Sequence, residues 1–201
     1  MIRAITFDLD GVYFVNGKEN FVRNLVRLGV PEAEVARVYF DSDEMNGRYK
    51  AGTLSDAEYW SWALREWKLD RSVAEITALL IAGYEAKEPV RRFVRRVRAK
   101  GYRTLICSNN FPARIDGLQA RFGFLQDFDA ATLSYEIGAT KPSVEIFRDL
   151  VTRSGVAAAE IVFADDNADK LAGARALGIR TFVYTGFAEF RATLARLGVE
   201  A

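Results

Sequence analysis

The sequence predicts an α/β protein, a three-layer, doubly wound parallel sheet with an inserted helical unit. Short runs of β-branched and apolar residues alternate with amphipathic helical patterns, which is typical of parallel α/β sheets. One long segment, residues 16–88, shows only helical periodicity. Two acidic residues directly follow the first apolar run, at the edge where open α/β sheets bind their ligands.

Five apolar runs are expected to form the sheet, with amphipathic helices as crossovers between them. Right-handed crossovers place helices on both faces of the sheet, which gives the three layers. The predicted strands are residues 3–7, 103–107, 130–133, 161–164 and 180–184. The predicted crossover helices are residues 112–122, 142–154 and 168–177.

The helical segment is predicted to be a small unit over the carboxyl edge of the sheet. Its periodic stretches are residues 21–28, 31–40, 55–67 and 72–84. Ser55 and Glu58 have the spacing of a helix-capping box. We therefore expect a core domain, residues 1–15 and 89–201, and a helical cap domain, residues 16–88.

Composition narrows the functional classes. The 201-residue chain is 50% hydrophobic, which is enough to bury a sizeable core, and its 28 basic and 27 acidic residues leave a formal net charge of +1. This balance favours neither nucleic acid nor an anionic membrane as a partner. The arginine-rich stretch 91–98 suggests nucleic-acid binding, but its apolar residues fall at helical spacing, so the arginines are expected on the outer face of an amphipathic helix.

The rarest residue types exclude several kinds of chemistry. The chain has no histidine and one cysteine, Cys107. Histidine-dependent nucleophilic catalysis and histidine-ligated metal sites are therefore excluded, and acid–base work falls to carboxylates, lysine or tyrosine. A lone cysteine forms no internal disulfide, and we find neither a leader pattern nor an apolar stretch of membrane-spanning length, so we expect a soluble, cytoplasmic protein.

Asp8 and Asp10 are the most informative residues. They lie one residue apart at the end of the first predicted strand, and Gly11 then breaks the strand. Alternate residues of a strand share a face, so both side chains can lean towards one point above the sheet. Such a pair suits a hard cation and phosphate chemistry, with one acid as nucleophile and the other as proton shuttle, although solvated acids at a strand end give the same pattern.

Two further features follow predicted strands and suit a phosphate group. Ser108 and Asn109 precede a helix, where a hydroxyl and free N–H groups form a phosphate cradle. Lys141 is held extended by Pro142, in a position to neutralise a phosphoryl group. Taken singly, the first feature is also an ordinary turn and the second an ordinary solvated lysine.

Asp165 and Asp166 end the fourth apolar run and indicate a metal site. Adjacent acids at the end of a buried strand repel each other unless a cation compensates. The favourable field at a helix N-terminus is the alternative explanation for Asp166. An oxygen-only set of ligands, without histidine, favours Mg²⁺ over softer ions.

In this order, the four features resemble the motifs of the haloacid dehalogenase-like superfamily of phosphohydrolases. The matching segments are residues 8–12, 108–109, 138–142 and 163–167. The resemblance spans nearly the whole chain and implies a Rossmann-like core with a small helical cap after the first motif. Residues 133–142 and 165–169 look closest to the branch that contains bacterial α-glucose-1-phosphate phosphatases and the N-terminal phosphatase domain of soluble epoxide hydrolases.

The resemblance implies a magnesium-dependent phosphatase that acts on a small phosphomonoester, such as a sugar phosphate. Asp8 would attack phosphorus to form an aspartyl-phosphate. Asp10 would protonate the leaving oxygen and then take a proton from the hydrolytic water. Mg²⁺ would be held by Asp8, by the carbonyl of Asp10, and by Asp165 or Asp166.

The same resemblance assigns phosphate and substrate contacts. Ser108, the Asn109 amide and Lys141 would stabilise charge on the phosphoryl oxygens. The cap would close over a small phosphorylated metabolite, and a cap loop at residues 46–52 would set specificity. Arg48 or Lys50 could contact a second phosphate or sugar hydroxyls there, and a plain solvated loop is equally compatible with the sequence.

Several alternatives remain open. A phosphomutase acting on a sugar phosphate shares all four motifs and differs in the group that accepts the phosphoryl. A receiver-type phospho-acceptor has its acid pair early in the chain, whereas here a pair comes late, and intact motifs disfavour a non-catalytic binding protein. Dehalogenation is disfavoured because halide-removing relatives lack an acid at the position of Asp10. The sequence carries no signal for an oligomeric state.

Overall fold

Five parallel strands form the centre of the computed structural model, which describes residues 1–200. The strands are β1 (Ala4–Phe7), β2 (Phe14–Val15), β3 (Glu85–Ala86), β4 (Arg103–Ser108), β5 (Ala130–Leu133), β6 (Ile161–Asp165) and β7 (Arg180–Val183). The main sheet has the order β5-β4-β1-β6-β7, and β2 pairs with β3 in a separate antiparallel ribbon. The five predicted core strands are confirmed, with ends shifted by no more than a residue.

Residues 1–200 form ten α-helices in addition to the sheet. They are α1 (Gly17–Arg27), α2 (Glu32–Val35), α3 (Asp56–Glu66), α4 (Val73–Ala82), α5 (Glu88–Ala99), α6 (Pro112–Phe122), α7 (Ser134–Ile137), α8 (Val144–Ser154), α9 (Ala172–Ala176) and α10 (Phe187–Arg196). Two π-helical turns, Ala36–Phe40 and Glu44–Tyr49, lie between α2 and α3. Three 3₁₀ turns cover Phe124–Asp127, Ala158–Glu160 and Ala168–Leu171.

Two hydrophobic clusters fill the two faces of the sheet, because successive strand residues point to opposite sides. Leu105 and Phe163 belong to the cluster that contains the apolar residues of α8 and α9. Ile106 and Val162 belong to the cluster that contains those of α5 and α10. This second cluster continues into α1, α3 and α4, so the inserted helices share a core with the sheet.

The strand register brings the site residues together. Phe7 pairs with Ile106 of β4 on one side and with Ala164 of β6 on the other. The next residues, Asp8 and Asp165, therefore emerge side by side at the carboxyl edge. Since the chain crosses to opposite sides of β1 there, this edge is the crevice in which doubly wound sheets bind ligands.

The boundaries of the helical insert differ from the prediction in two respects. No strand is expected between residues 16 and 88, yet Glu85–Ala86 pairs with Phe14–Val15. The two passages of the chain between sheet and insert run side by side, and two residues are too few to show periodicity. The loop expected at residues 46–52 is helical as far as Tyr49.

The residues at the helix N-termini explain where several helices begin. Ser55 and Glu58 form the predicted capping box at the start of α3, and Ser72 and Glu75 form another at α4. The helix expected from residue 142 begins at Val144, because the Ser143 side chain caps it. The helix expected over residues 168–177 begins as the 3₁₀ turn and becomes α-helical at Ala172.

The arginine-rich face of α5 is partly used within the molecule. Arg91 and Arg95 both bind the carboxylate of Asp127, at 3.0 and 2.6 Å, and Arg98 binds Asp129 at 2.9 Å. These contacts support the interpretation of this stretch as one face of an amphipathic helix. Among the helices of residues 1–200, none is both long enough and apolar enough to cross a membrane.

Candidate active site

Three carboxylates converge at the carboxyl edge of the sheet. Asp8 follows β1, Asp165 ends β6, and Asp166 comes next in the chain. One carboxylate oxygen from each lies within 4.8 Å of the other two. Asp8 and Asp165 are buried, whereas the side chain of Asp166 is 48% exposed. Holding three acids this close is unfavourable without compensating cations.

Lys141 supplies part of that compensation. Its ammonium lies 2.6 Å from Asp165 Oδ2 and 3.1 Å from Asp8 Oδ1, and it donates a hydrogen bond to the carbonyl of Cys107 at 3.0 Å. Burial lowers the pKa of Lys141, but Asp8 and Asp165 outweigh burial and raise it. Burial likewise raises the pKa of Asp165, and the charges of Lys141 and Lys170 reverse the shift and lower it. Both groups are therefore ionised.

Asp166 is the acid that the lysines compensate least. Its pKa is raised by burial and by the charge of Asp8, and Lys170, at 4.0 Å, opposes this only in part. Both oxygens of Asp165 are engaged, one by Lys141 and the other by the N–H of Asn167 at 2.9 Å. A divalent cation would remove the repulsion, so the donor set fits a hard ion such as Mg²⁺.

Gly11 leaves the room that this arrangement needs. Its φ is +73°, and a Cβ built at this position would lie 2.6 Å from Oδ2 of Asp166. A side chain at residue 11 would therefore be strained and would also displace the carboxylate. Because Gly11 has no side chain, the carboxylate of Asp166 can lie next to the first motif.

Asp10 faces a different set of charges from Asp8. Its Oδ2 lies 2.8 Å from Nη1 of Arg114 and 3.0 Å from Nζ of Lys18. Burial raises the pKa of Asp10, but Arg114 and then Lys18 outweigh it and hold the pKa far below its usual range. The carboxylate of Asp10 is thus paired with cations on the side of the helical insert, and its predicted metal contact through the carbonyl stays a prediction.

Arg114 is a site residue that sequence reasoning missed. It lies in the first turn of α6 and is 1% exposed. Nε donates to Oδ1 of Asn110 at 2.6 Å, and Nη1 donates to the hydroxyl of Tyr84 at 3.1 Å. Its spacing could have identified it from the sequence. Arg114 precedes the inward-facing Leu118 by four residues and therefore lies on the same face of the helix.

Ser108 and Asn109 are placed at the site in different ways. The side chain of Asn109 accepts a hydrogen bond from the N–H of Lys141 at 2.7 Å and donates to the Lys141 carbonyl at 3.1 Å. Asn109 therefore fixes the backbone of the buried lysine. Ser108 is buried at the end of β4, where its hydroxyl accepts from Nδ2 of Asn110 at 3.3 Å. The predicted contacts of both residues with phosphate stay predictions.

A cavity of about 250 Å³ opens above these residues. Its lining is strongly charged and consists of Asp8, Asp10, Lys18, Asn46, Lys50, Asn109, Arg114, Thr140, Lys141 and Lys170. Lys18 and Lys170, like Arg114, were not identified from the sequence, whereas Asn46 lies in the predicted specificity loop and Thr140 in the third matching segment. A volume of this size suits a small metabolite.

Arg48 and Lys50 are separated by the structure. Lys50 lines the cavity, whereas Arg48 is exposed and is not among the lining residues. The physical reason is the π-helical turn Glu44–Tyr49, because residues two apart on a helix face different sides. Of the two predicted cap contacts, the structure brings only Lys50 to the site.

Comparisons with known proteins agree with this geometry. The family model described as haloacid dehalogenase-like hydrolase matches residues 2–178. The chain is 26% identical over 202 residues to the D-ribitol-5-phosphate phosphatase of Bacteroides thetaiotaomicron, covering 96% of this chain and 97% of the relative.

Two solved structures share the fold. A HAD-like family hydrolase of Porphyromonas gingivalis superposes with a TM-score of 0.81 at 23% identity, covering all of both chains (100% each). A HAD family enzyme of Bacteroides thetaiotaomicron, in complex with magnesium and inorganic phosphate, gives a TM-score of 0.79 at 21% identity, covering 91% of this chain and 94% of that one.

Proposed function

The chain belongs to the haloacid dehalogenase-like hydrolase family, and from this membership we propose that it is a Mg²⁺-dependent phosphatase that hydrolyses a small phosphomonoester through an aspartyl-phosphate. The observation that carries the proposal is the convergence of Asp8, Asp165 and Lys141, of which Asp8 and Lys141 line a small polar cavity. These residues are far apart in the chain, and together they surround a space that suits one tetrahedral anion. The finer placement near the α-glucose-1-phosphate phosphatase branch stays a prediction.

Asp8 and Asp166 are the acids that would hold Mg²⁺, together with the backbone carbonyl of Asp10. Asp165 is the weaker candidate for a direct ligand because Lys141 and the N–H of Asn167 occupy its two oxygens. When bound, the ion supplies charge neutralisation between the anionic nucleophile and the anionic phosphate. The complex of the Bacteroides thetaiotaomicron enzyme with magnesium and inorganic phosphate supports magnesium as the ion.

Asp8 is the proposed nucleophile. Its carboxylate oxygen forms a bond to phosphorus, and the bond between phosphorus and the substrate oxygen breaks. Water then attacks the same phosphorus, the bond to Asp8 breaks, and phosphate leaves. Lys141, buried and ionised 3.1 Å from Asp8, stabilises negative charge on the phosphoryl oxygens throughout.

Asp10 is the proposed proton shuttle. It gives a proton to the leaving oxygen in the first step and takes one from water in the second. In the free protein Arg114 and Lys18 keep it ionised. An anionic substrate has to weaken those two contacts before Asp10 can carry a proton, which couples substrate binding to acid catalysis.

The helical insert is proposed to act as a cap that bounds the substrate. Lys18 of α1, together with Asn46 and Lys50, lines the cavity from the insert. The small volume favours a phosphorylated metabolite over a macromolecule, in line with the D-ribitol-5-phosphate phosphatase of Bacteroides thetaiotaomicron.

The test is phosphate release with and without MgCl₂, measured on p-nitrophenyl phosphate and on a panel of sugar phosphates, nucleotides and phosphoglycolate. We expect Mg²⁺-dependent release that Asp8→Asn lowers by more than about 10³-fold. Asp70→Asn, the same change at an exposed acid, is the matched control and should leave the rate unchanged. Equal rates from wild type and Asp8→Asn would refute the covalent mechanism. Release without a bisphosphate activator separates hydrolysis from a phosphomutase reaction.

A further inference from the structure

The cavity wall formed by the helical insert carries more positive charge than its one carboxylate can balance. Lys18 and Arg114 both contact the same oxygen of Asp10, at 3.0 and 2.8 Å. Lys50 lines the same cavity as a third cation. These groups come from three separate parts of the chain, so the cluster is built by the docking of the insert on the core.

Lys50 is the cation of this wall that forms no ion pair with a carboxylate among residues 1–200. Its ammonium donates a hydrogen bond to Oδ1 of Asn46 at 2.8 Å, and no carboxylate of residues 1–200 forms an ion pair with it within 4 Å. Burial, followed by the charges of Arg114 and Lys18, lowers the pKa of Lys50 to about 7. A cation held against like charges in a cavity is a group that a bound anion would stabilise.

The charges of the whole site would be balanced by one more anion. The cations are Lys18, Lys50, Arg114, Lys141 and Lys170, and the carboxylates are Asp8, Asp10, Asp165 and Asp166. A bound Mg²⁺ and a dianionic phosphate group cancel each other, so the site keeps a single positive charge when Lys50 is protonated. Lys141 and Lys170 contact acids, which places that surplus near Lys50.

We propose that the substrate carries a carboxylate in addition to its phosphate, and that Lys50 binds this carboxylate with Lys18 beside it. The substrate class is then a small phosphorylated hydroxy acid. A neutral polyol phosphate would leave the surplus charge unbalanced. This inference rests on the proposed phosphatase function, because the phosphate must occupy the other end of the cavity.

The experiment compares two substrates that differ at one carbon, 3-phosphoglycerate with a carboxylate and glycerol 3-phosphate with a hydroxymethyl group. We expect wild type to prefer 3-phosphoglycerate by about tenfold or more in kcat/KM, as for a hydrogen bond to a charged group. Lys50→Gln should lower this ratio by about tenfold, and Lys50→Arg should keep it. Lys100→Gln, the same change at an exposed lysine outside the cavity, should leave the ratio at the wild-type value.

The outcomes separate this inference from the proposed function. Hydrolysis of glycerol 3-phosphate at least as fast as 3-phosphoglycerate would overturn the carboxylate site and leave the phosphatase intact. Equal loss on both substrates in Lys50→Gln would also overturn it, since Lys50 would then serve the phosphate or the fold. Failure to hydrolyse either substrate or p-nitrophenyl phosphate would overturn the proposed function and this inference with it.

Discussion

The guanidinium of Arg114 lies 2.8 Å from the carboxylate of Asp10, and the arginine side chain is 1% exposed. Arg114 also binds Asn110 in the loop after β4 and Tyr84 at the end of the helical insert. One buried cation therefore connects the first acidic motif, the second core strand and the insert. Removing one member of a buried ion pair leaves an uncompensated charge, which is strongly destabilising.

We expect Arg114→Met to lower the free energy of unfolding by about 3–5 kcal/mol. Urea denaturation without substrate measures the change through the transition midpoint. Arg92→Met is the matched control, because Arg92 is exposed and its ion pair with Glu88, at 3.8 Å, lies on the surface. Similar midpoints for the two variants would show that the Arg114–Asp10 pair is unimportant for the fold.

Lys141→Gln is expected to affect both activity and the response to metal. Loss of one preorganised charge at the phosphoryl group should lower kcat by about 10²–10³-fold. Loss of the lysine also leaves Asp8 and Asp165 without their common cation. Mg²⁺ should therefore raise the melting temperature more in this variant than in wild type.

Phosphate release gives the first quantity, and thermal unfolding in EDTA and in MgCl₂ gives the second. Lys100→Gln serves as the control for the loss of one positive charge. A melting temperature of Lys141→Gln that does not respond to Mg²⁺ would contradict a metal site at these acids.

The sheet and its acids could be predicted because they depend on local patterns. Each acid lies at the carboxyl end of an apolar strand, and parallel register then brings Asp8 beside Asp165 without further information. Lys141 could be placed for the same reason, since Pro142 restricts the residue before it. These are properties of a few neighbouring residues.

The cationic wall could not be predicted, because it depends on how distant helices dock. Lys18 and Arg114 lie on helices, where a charged residue usually faces solvent, and their shared contact with Asp10 becomes visible only in the folded structure. Lys50 lines the cavity and Arg48 does not, and this also depends on a π-helical turn that was predicted to be a loop. The β2–β3 ribbon is too short to be read from periodicity.

Gly11→Ala tests the close approach between the first and last motifs. Gly101 has a similar positive φ, +91°, but a Cβ there meets nothing within 4 Å, so Gly101→Ala is the matched control. Both changes should cost about 1–2 kcal/mol from the left-handed backbone alone. Only Gly11→Ala should also reduce the stabilisation by Mg²⁺, because its methyl group displaces the carboxylate of Asp166. Thermal unfolding across an MgCl₂ titration measures both effects, and equal metal responses in the two variants would disprove the steric explanation.

The pH dependence of substrate preference should report the charge of Lys50. Its pKa of about 7 means that Lys50 is charged at lower pH and neutral at higher pH in the free protein. The groups that act on it are Arg114 from α6, Lys18 from α1, Asp10 from the loop after β1 and Lys170 from the turn Ala168–Leu171. Arg114 and Lys18 have raised pKa values and Asp10 a strongly lowered one, so these three keep their charges while Lys50 titrates.

The ratio of kcat/KM for 3-phosphoglycerate over glycerol 3-phosphate should therefore fall as the pH rises from about 6 to about 8, since kcat/KM reports groups of the free enzyme. Ionisation of the phosphate and of the shared catalytic acids affects both substrates and largely cancels in the ratio. Lys50→Arg should give a high ratio that does not change with pH, because guanidinium stays charged, and Lys50→Gln a low one. If the ratio still falls with pH in Lys50→Arg, a group other than Lys50 sets the preference.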